Sequence, residues 1–167
     1  MVDLDNSMAL LDELEIQLRR EIARRELTEP VMIGIHSGGA WIAQHLHQRL
    51  DIGEPLGKLD ITFYRDDFSQ IGMHPQVQAS HLPFRLEGRN ILLIDDVFYT
   101  GRTIRAALNE IFDYGRPAQV LLGVLIERDG RQIPLRPDCR GGLLTLPRGQ
   151  RIKLSGPEPL TLSVHAV

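Results

Sequence analysis

The sequence predicts an α/β protein: a central, mostly parallel sheet flanked by helices, with short β pieces toward its carboxy end. Three observations carry this. Residues 91–94 and 120–126 are unbroken apolar runs, as found in parallel strands covered on both faces. Between them Ile104, Ala107, Leu108, Ile111 and Phe112 recur at i, i+3, i+4, i+7 and i+8, so strand, helix and strand alternate. Beyond Ile126 the pattern breaks into short β pieces. A chain of 167 residues with 43% apolar content can fill one sizeable core, and a single domain over residues 1–167 is expected.

Composition narrows the function classes. A net charge of −3 and a pI near 6.1 give no global basic signal for nucleic acid, so any polyanion contact needs a local patch. Cys139 is the lone cysteine and cannot form an internal disulfide. No run approaches ~20 apolar residues, and Asp3, Asp5, Asp12 and Glu13 stand where a signal peptide needs positive charge and an apolar stretch. A cytoplasmic protein with no membrane partner is expected.

In chain order, Ser7 is placed to cap a first helix whose stripe is Met8, Leu11, Leu14, Leu18 and Ile22, with Glu15/Arg19 and Glu21/Arg25 pairs on its wet side. Pro30 ends that region. Residues 31–35 then read as a strand running into His36-Ser37-Gly38-Gly39, followed by a helix over 40–50. Leu59-Asp60-Ile61-Thr62-Phe63-Tyr64 alternates apolar and polar, as a strand buried on one face does. Apolar periodicity fails over 65–86, which reads as a long loop or hairpin; such segments are either lids and binding loops or plain disorder. Residues 91–94 form the expected central strand, the helix after Thr103 stops at Gly115 and Pro117, and residues 120–126 form the next strand. Residues 151–154 and the alternating Leu160, Leu162 and Val164 are the last β candidates.

The chemistry concentrates at one strand end. In an open α/β sheet ligands sit beyond the carboxyl ends of the strands, where Asp95 and Asp96 stand. Two adjacent carboxylates repel unless something with donors or positive charge occupies the site; the alternative is a polar strand end that caps the next turn. Thr100-Gly101-Arg102-Thr103 then places a glycine and two hydroxyls at a helix start, where free N–H groups and the helix dipole favour a phosphate. Neither the Walker A spacing nor the dinucleotide-binding glycine fingerprint is present.

Carboxylates for a furanose followed by a phosphate cradle match the two ends of a phosphoribosyl group. The segment Ile91-Leu92-Leu93-Ile94-Asp95-Asp96-Val97-Phe98-Tyr99-Thr100-Gly101-Arg102-Thr103 resembles the phosphoribosyl-diphosphate motif of type I phosphoribosyltransferases. Asp60-Ile61-Thr62-Phe63-Tyr64-Arg65-Asp66-Asp67, Asp113-Tyr114-Gly115-Arg116-Pro117 and Ile133-Pro134-Leu135-Arg136 are similar to the bacterial PyrR family of pyrimidine-operon attenuators that are also uracil phosphoribosyltransferases. The similarity runs from about Val31 to Arg136; the last thirty or so residues resemble the family weakly.

The resemblance implies a type I phosphoribosyltransferase fold, with a flexible lid loop and a short β-rich C-terminal hood, and the reaction of uracil with 5-phosphoribosyl-1-diphosphate to give UMP and diphosphate. It implies that Asp95 and Asp96 hold the ribose hydroxyls and that Thr100, Gly101, Arg102 and Thr103 cradle the 5-phosphate. Ser37, Gly38 and Gly39 fall at the diphosphate loop, Arg65 at the base of the lid reaches the diphosphate, Val97 with the strand-end region Ile126 to Ile133 borders the base, and Tyr99 is among the substrate-binding residues. The less favoured alternative for Arg65 is an exposed salt-bridge partner of Asp66 or Asp67, and Val97 reads equally as plain core. Magnesium (Mg2+) is expected to ride mainly on substrate oxygens, without a protein metal site. Many relatives have an arginine where this chain has Gly38, which puts the strength of diphosphate binding in question. Tyr99 stands where some purine-using relatives place an aspartate, so no general base is assigned and a pyrimidine is favoured.

Two rival readings share the sequence. Between Arg116 and Lys153 the basic residues Arg116, Arg128, Arg131, Arg136, Arg140, Arg148, Arg151 and Lys153 outnumber the acidic Glu127, Asp129 and Asp138. That stretch is either a basic face for pyr leader RNA, making the chain an attenuator with little catalysis, or solvated surface arginines. The other rival is transfer to a different nucleobase. A homo-oligomer, dimer or higher, is expected from the resemblance.

Overall fold

The computed structural model describes residues 2–61 and 80–167. Helix α1 spans Ser7–Arg24, and its cap is Asn6, whose side chain accepts the Ala9 N–H at 3.0 Å. Ser7, expected at the cap, lies one residue inside. It is buried, and its hydroxyl donates to the Leu160 carbonyl at 2.7 Å, satisfying a group from the far end of the chain. Leu10, Leu11, Leu14 and Leu18 form the buried stripe, whereas Met8 falls off it and stays exposed. Both expected ion pairs form, each at 3.0 Å.

Five strands, β1 (Val31–Ile35), β2 (Gly57–Leu59), β3 (Asn90–Phe98), β4 (Gln119–Arg128) and β5 (Cys139–Leu144), form one parallel sheet in the order β2-β1-β3-β4-β5. Strand β3 is central, as its apolar run requires. Alternation along it sends Leu92 and Ile94 into one core layer with Leu11, Leu14, Leu18, Ile42 and Leu46. Ile91 and Leu93 enter the other layer with Ile104, Ala107 and Ile111. Helix α2 (Gly38–Arg49) follows β1 and α3 (Arg102–Tyr114) follows β3, so each strand end feeds a helix start. Phe112, expected on the buried stripe of α3, is exposed.

The strand read over 59–64 is paired only through Leu59 among the described residues. Leu59 and Ile61 are buried on either side of a half-exposed Asp60, so the alternation holds. Thr62, Phe63, Tyr64 and most of the predicted lid lie outside the described residues. Strand β5 was hidden in the sequence because its two central residues are glycines. A Cβ at Gly141 would stand 2.5 Å from the Leu10 carbonyl oxygen and 2.6 Å from that of Leu125, so glycine is what lets α1 and β4 close on this strand. The hood is a hairpin, β6 (Gln150–Ser155) against β7 (Thr161–Ala166), with Leu154 opposite Leu162 on its inner face. Cys139 is buried, and burial pushes its thiol up to about 12, which removes it from nucleophilic chemistry. Among the described residues no helix is long and apolar enough to cross a membrane.

Candidate functional site

The carboxyl end of β3 collects most of the residues singled out in the sequence. Asp95 is 2% exposed and lies in register with Val124 of β4. Its Oδ1 accepts the Asp96 N–H at 2.8 Å, and Asp96 Oδ1 accepts the Val97 N–H at 2.7 Å. Each carboxylate is thus oriented by the next peptide, which fixes where its remaining oxygen points. Asp96 is half-buried and faces the start of α2.

That start is built from Ser37, Gly38 and Gly39. Ser37 is the exposed N-cap of α2 and follows His36 through a cis peptide; its side chain makes no cap hydrogen bond, while its carbonyl accepts the Trp41 N–H at 3.2 Å. A Cβ on Gly39 would lie 2.7 Å from the Ile94 carbonyl oxygen and 3.0 Å from Asp95 Oδ1. One on Gly38 would run into the Asp96 carboxylate. The departure at Gly38 therefore has a structural counterpart: the turn sits so close to the carboxylate pair that an arginine there would have to displace Asp96. His36, beside this turn, is held below the usual imidazole range chiefly by burial, with Asp60 opposing the shift and Lys58 adding to it.

A second cluster follows directly. Gly101 occupies the N-cap of α3 at φ +96, a conformation that favours glycine, and no side chain caps the helix. Thr100 Oγ1 accepts the Arg102 N–H at 3.2 Å, and Thr103 is half-buried in the first turn. This leaves a helix amino terminus with its dipole and uncapped N–H groups turned toward the strand end, an arrangement that suits an anion. The segment after β4 closes over it. The Gln132 N–H donates to the Thr100 carbonyl at 3.0 Å, the Arg102 guanidinium donates to Gln132 Oε1 at 3.1 and 3.2 Å, and Ile133 packs on Gly101. Val97 is opposite Ile126 and packs against the α1-side core while staying partly exposed. Tyr99 is exposed on one face, with the Arg128 guanidinium 4.0 Å from its ring centroid on the other.

The structure thus brings Asp95, Asp96, Ser37, Gly38 and Gly39 together at one end of the site and Tyr99, Thr100, Gly101, Arg102, Thr103 and Ile133 at the other. Arg65 lies outside the described residues. Gln132 and Arg128 fall within the stretch 126–133 expected beside the base, but neither is singled out by the sequence for the Tyr99–Thr103 end. Gln132 carries no sequence signal, and Arg128 was counted with the basic stretch. That stretch is divided in the fold: Arg128 is buried, Arg140 pairs with Glu127 at 3.2 Å, and Arg151 and Lys153 are exposed on the hairpin.

Residues 2–145 match the phosphoribosyl transferase domain family. The chain is 53% identical to the bifunctional protein PyrR of Pseudomonas entomophila over 96% of its own length and 94% of that protein. It is 52% identical to the PyrR of Nitrosococcus oceani, covering 97% and 93% of the two chains. Among solved structures it is similar to a purine phosphoribosyltransferase from Pyrococcus horikoshii, with a TM-score of 0.58 at 21% identity over 81% of this chain and 82% of the other. A hypoxanthine phosphoribosyltransferase from Staphylococcus aureus gives 0.63 at 16% identity, over 83% and 74%. With the family model matched over residues 2–145 and more than half of the residues shared with these relatives over nearly the whole chain, the chain belongs to the phosphoribosyltransferase family and, within it, to the PyrR proteins.

Proposed function

We propose that the chain is a uracil phosphoribosyltransferase that also regulates pyrimidine biosynthesis genes by UMP-dependent RNA binding in the cytoplasm. The observation that carries the transferase half is the succession along one strand end of the Asp95/Asp96 pair and the uncapped, Gly101-led start of α3. The carboxylates hold the ribose hydroxyls and stabilise the positive charge that grows at the anomeric carbon as the diphosphate leaves. Thr100, Gly101, Arg102 and Thr103 fix the 5-phosphate, Ser37, Gly38 and Gly39 receive the diphosphate through their backbone, and Arg65 joins them from the lid. The base enters between Val97, Tyr99 and Ile133, and the pyrimidine nitrogen attacks as the glycosidic bond to diphosphate breaks.

Asp95 and Asp96 offer hard oxygen donors, and no group of three or more metal-ligating side chains gathers among the described residues. This donor set fits a magnesium ion carried mostly on substrate oxygens and water, and when bound the ion neutralises charge on the diphosphate. Exposed Phe112, Tyr114 and Leu143 supply apolar surface for a homo-oligomer.

Diphosphate release measured with uracil, hypoxanthine, adenine and orotate tests the transferase half. Uracil is expected to be the efficient acceptor and the rate to vanish when magnesium is chelated; preference for hypoxanthine or adenine would overturn the pyrimidine assignment. The regulatory half rests on family membership and on the exposed cations Arg151 and Lys153, and it predicts that UMP tightens binding to a pyrimidine-operon leader RNA at fixed salt. Equal affinity for an unrelated hairpin, with and without UMP, would leave the transferase alone.

A further inference from the structure

Arg128 closes β4 and is the one buried basic side chain among the described residues, at 7% exposure. Its Nη1 donates to the Gln150 carbonyl at 2.8 Å and its Nε to the Asp129 carbonyl at 3.3 Å, while the guanidinium carbon lies over the Tyr99 ring, 4.0 Å from the centroid. Among the described residues no carboxylate pairs with it. A guanidinium taken out of water with only neutral partners is costly unless it does something that an apolar residue of the same size would not. What it does here is join three segments: the end of β4, the first residue of the hood hairpin, and the residue immediately before the phosphate cradle.

The local backbone is shaped for that contact. Gly130, at φ +117, lets the chain turn so tightly around the Tyr99 ring that a Cβ there would run into it. Two residues further on, the Gln132 N–H holds the Thr100 carbonyl and Ile133 covers Gly101. Tyr99 is therefore packed by both Arg128 and Gly130, and the next two residues, Thr100 and Gly101, are held by the same strand-end segment.

We infer that Arg128 is the positioning residue of the phosphate cradle: by stacking on Tyr99 and tying it to the hood, it holds Thr100-Gly101-Arg102-Thr103 in the arrangement that receives the 5-phosphate. The inference rests on the reading of those four residues as the phosphate site. It assigns to Arg128 a role in the grip on phosphoribosyl diphosphate that is separate from any contact with RNA. A planar guanidinium can stack and donate along two directions at once, whereas a lysine keeps the charge and loses both properties.

Steady-state rates with both substrates varied, on Arg128→Lys, Arg128→Met, Tyr99→Leu and the Tyr99→Leu/Arg128→Met double variant, test this, with thermal melting of each and ribose 5-phosphate binding followed by backbone amide shifts. Each single variant is expected to raise KM for phosphoribosyl diphosphate by about tenfold, with a smaller change in kcat, and the double variant to be no worse than either single one because both break the same stack. Arg128→Lys keeps a buried cation and serves if the methionine variant does not fold. The inference is overturned if Arg128→Lys restores the wild-type KM, if the Tyr99 and Arg128 effects add, or if kcat and melting temperature fall while KM stays put. If ribose 5-phosphate leaves the residue 100–103 amides of the wild type unmoved, the phosphate-site reading itself fails and the inference falls with it.

Discussion

Asp95→Asn and Asp96→Asn are each expected to lower kcat by about a hundred- to a thousandfold while the protein stays folded, the scale seen when one preorganised electrostatic partner of a developing charge is removed. The fold is expected to survive because each carboxylate accepts a backbone N–H, from Asp96 and Val97 respectively, and an asparagine Oδ1 accepts the same bond. What the amide lacks is the negative charge beside the anomeric carbon. Initial rates of diphosphate release at saturating substrates measure the loss, and melting curves show the fold. Turnover within about threefold of wild type in both variants would move the chemistry away from this strand end.

Gly39→Ala is the second large effect expected, and here structure and activity fail together. The added methyl would stand 2.7 Å from the Ile94 carbonyl oxygen and 2.9 Å from the Asp95 Cα, both backbone atoms of the central strand. A flexible side chain would swing away, but a strand paired on both sides cannot, so the first turn of α2 must lift off the carboxylates. A stability loss of about 1–3 kcal/mol is expected from the overpacking, together with at least a tenfold weakening of diphosphate binding. Gly53→Ala is the control, since a Cβ there meets nothing within 4 Å. Urea unfolding and diphosphate titration compare the two, and equal behaviour of the variants would contradict the close packing of this turn.

The parts of the fold legible in the sequence are those where one period dominates. The apolar run 91–94 becomes the central strand because residues on both faces of β3 are buried, so no polar position interrupts it. The stripe Ile104, Ala107, Ile111 becomes the buried face of α3 for the same reason at a period of 3.6. Strand β5 escaped because Gly141 and Gly142 serve the approach of α1 and of residues 2 and 10, a tertiary requirement that local propensity does not register. The cap of α1 shifted by one residue because Asn6 and Ser7 are both competent caps, and the Leu160 carbonyl, about 150 positions away in the chain, decides between them.

Site residues divide along similar lines. Asp95, Asp96 and Gly101 could be read because their chemistry is local: a strand end, a helix start and a positive φ within a few residues. Arg128 and Gln132 reach Tyr99 and Arg102 from the end of β4 and the segment after it, contacts that depend on where the chain folds back beyond that strand. Charge counting along the sequence leaves Arg128 and Arg140 as members of either a basic face or a set of solvated surface arginines, whereas burial takes the first inside and Glu127 pairs with the second.

Backbone amide shifts on titration with ribose 5-phosphate test the central claim most directly, because this ligand carries both the furanose and the phosphate and needs no base. Saturable shifts concentrated at Thr100, Gly101, Arg102 and Thr103, with smaller ones at Asp95 and Asp96, are expected. Shifts confined to the opposite end of the sheet, at the cavity of about 820 Å³ lined by Leu50, Asp51, Ile52 and Arg89, with none at the β3 end, would contradict it.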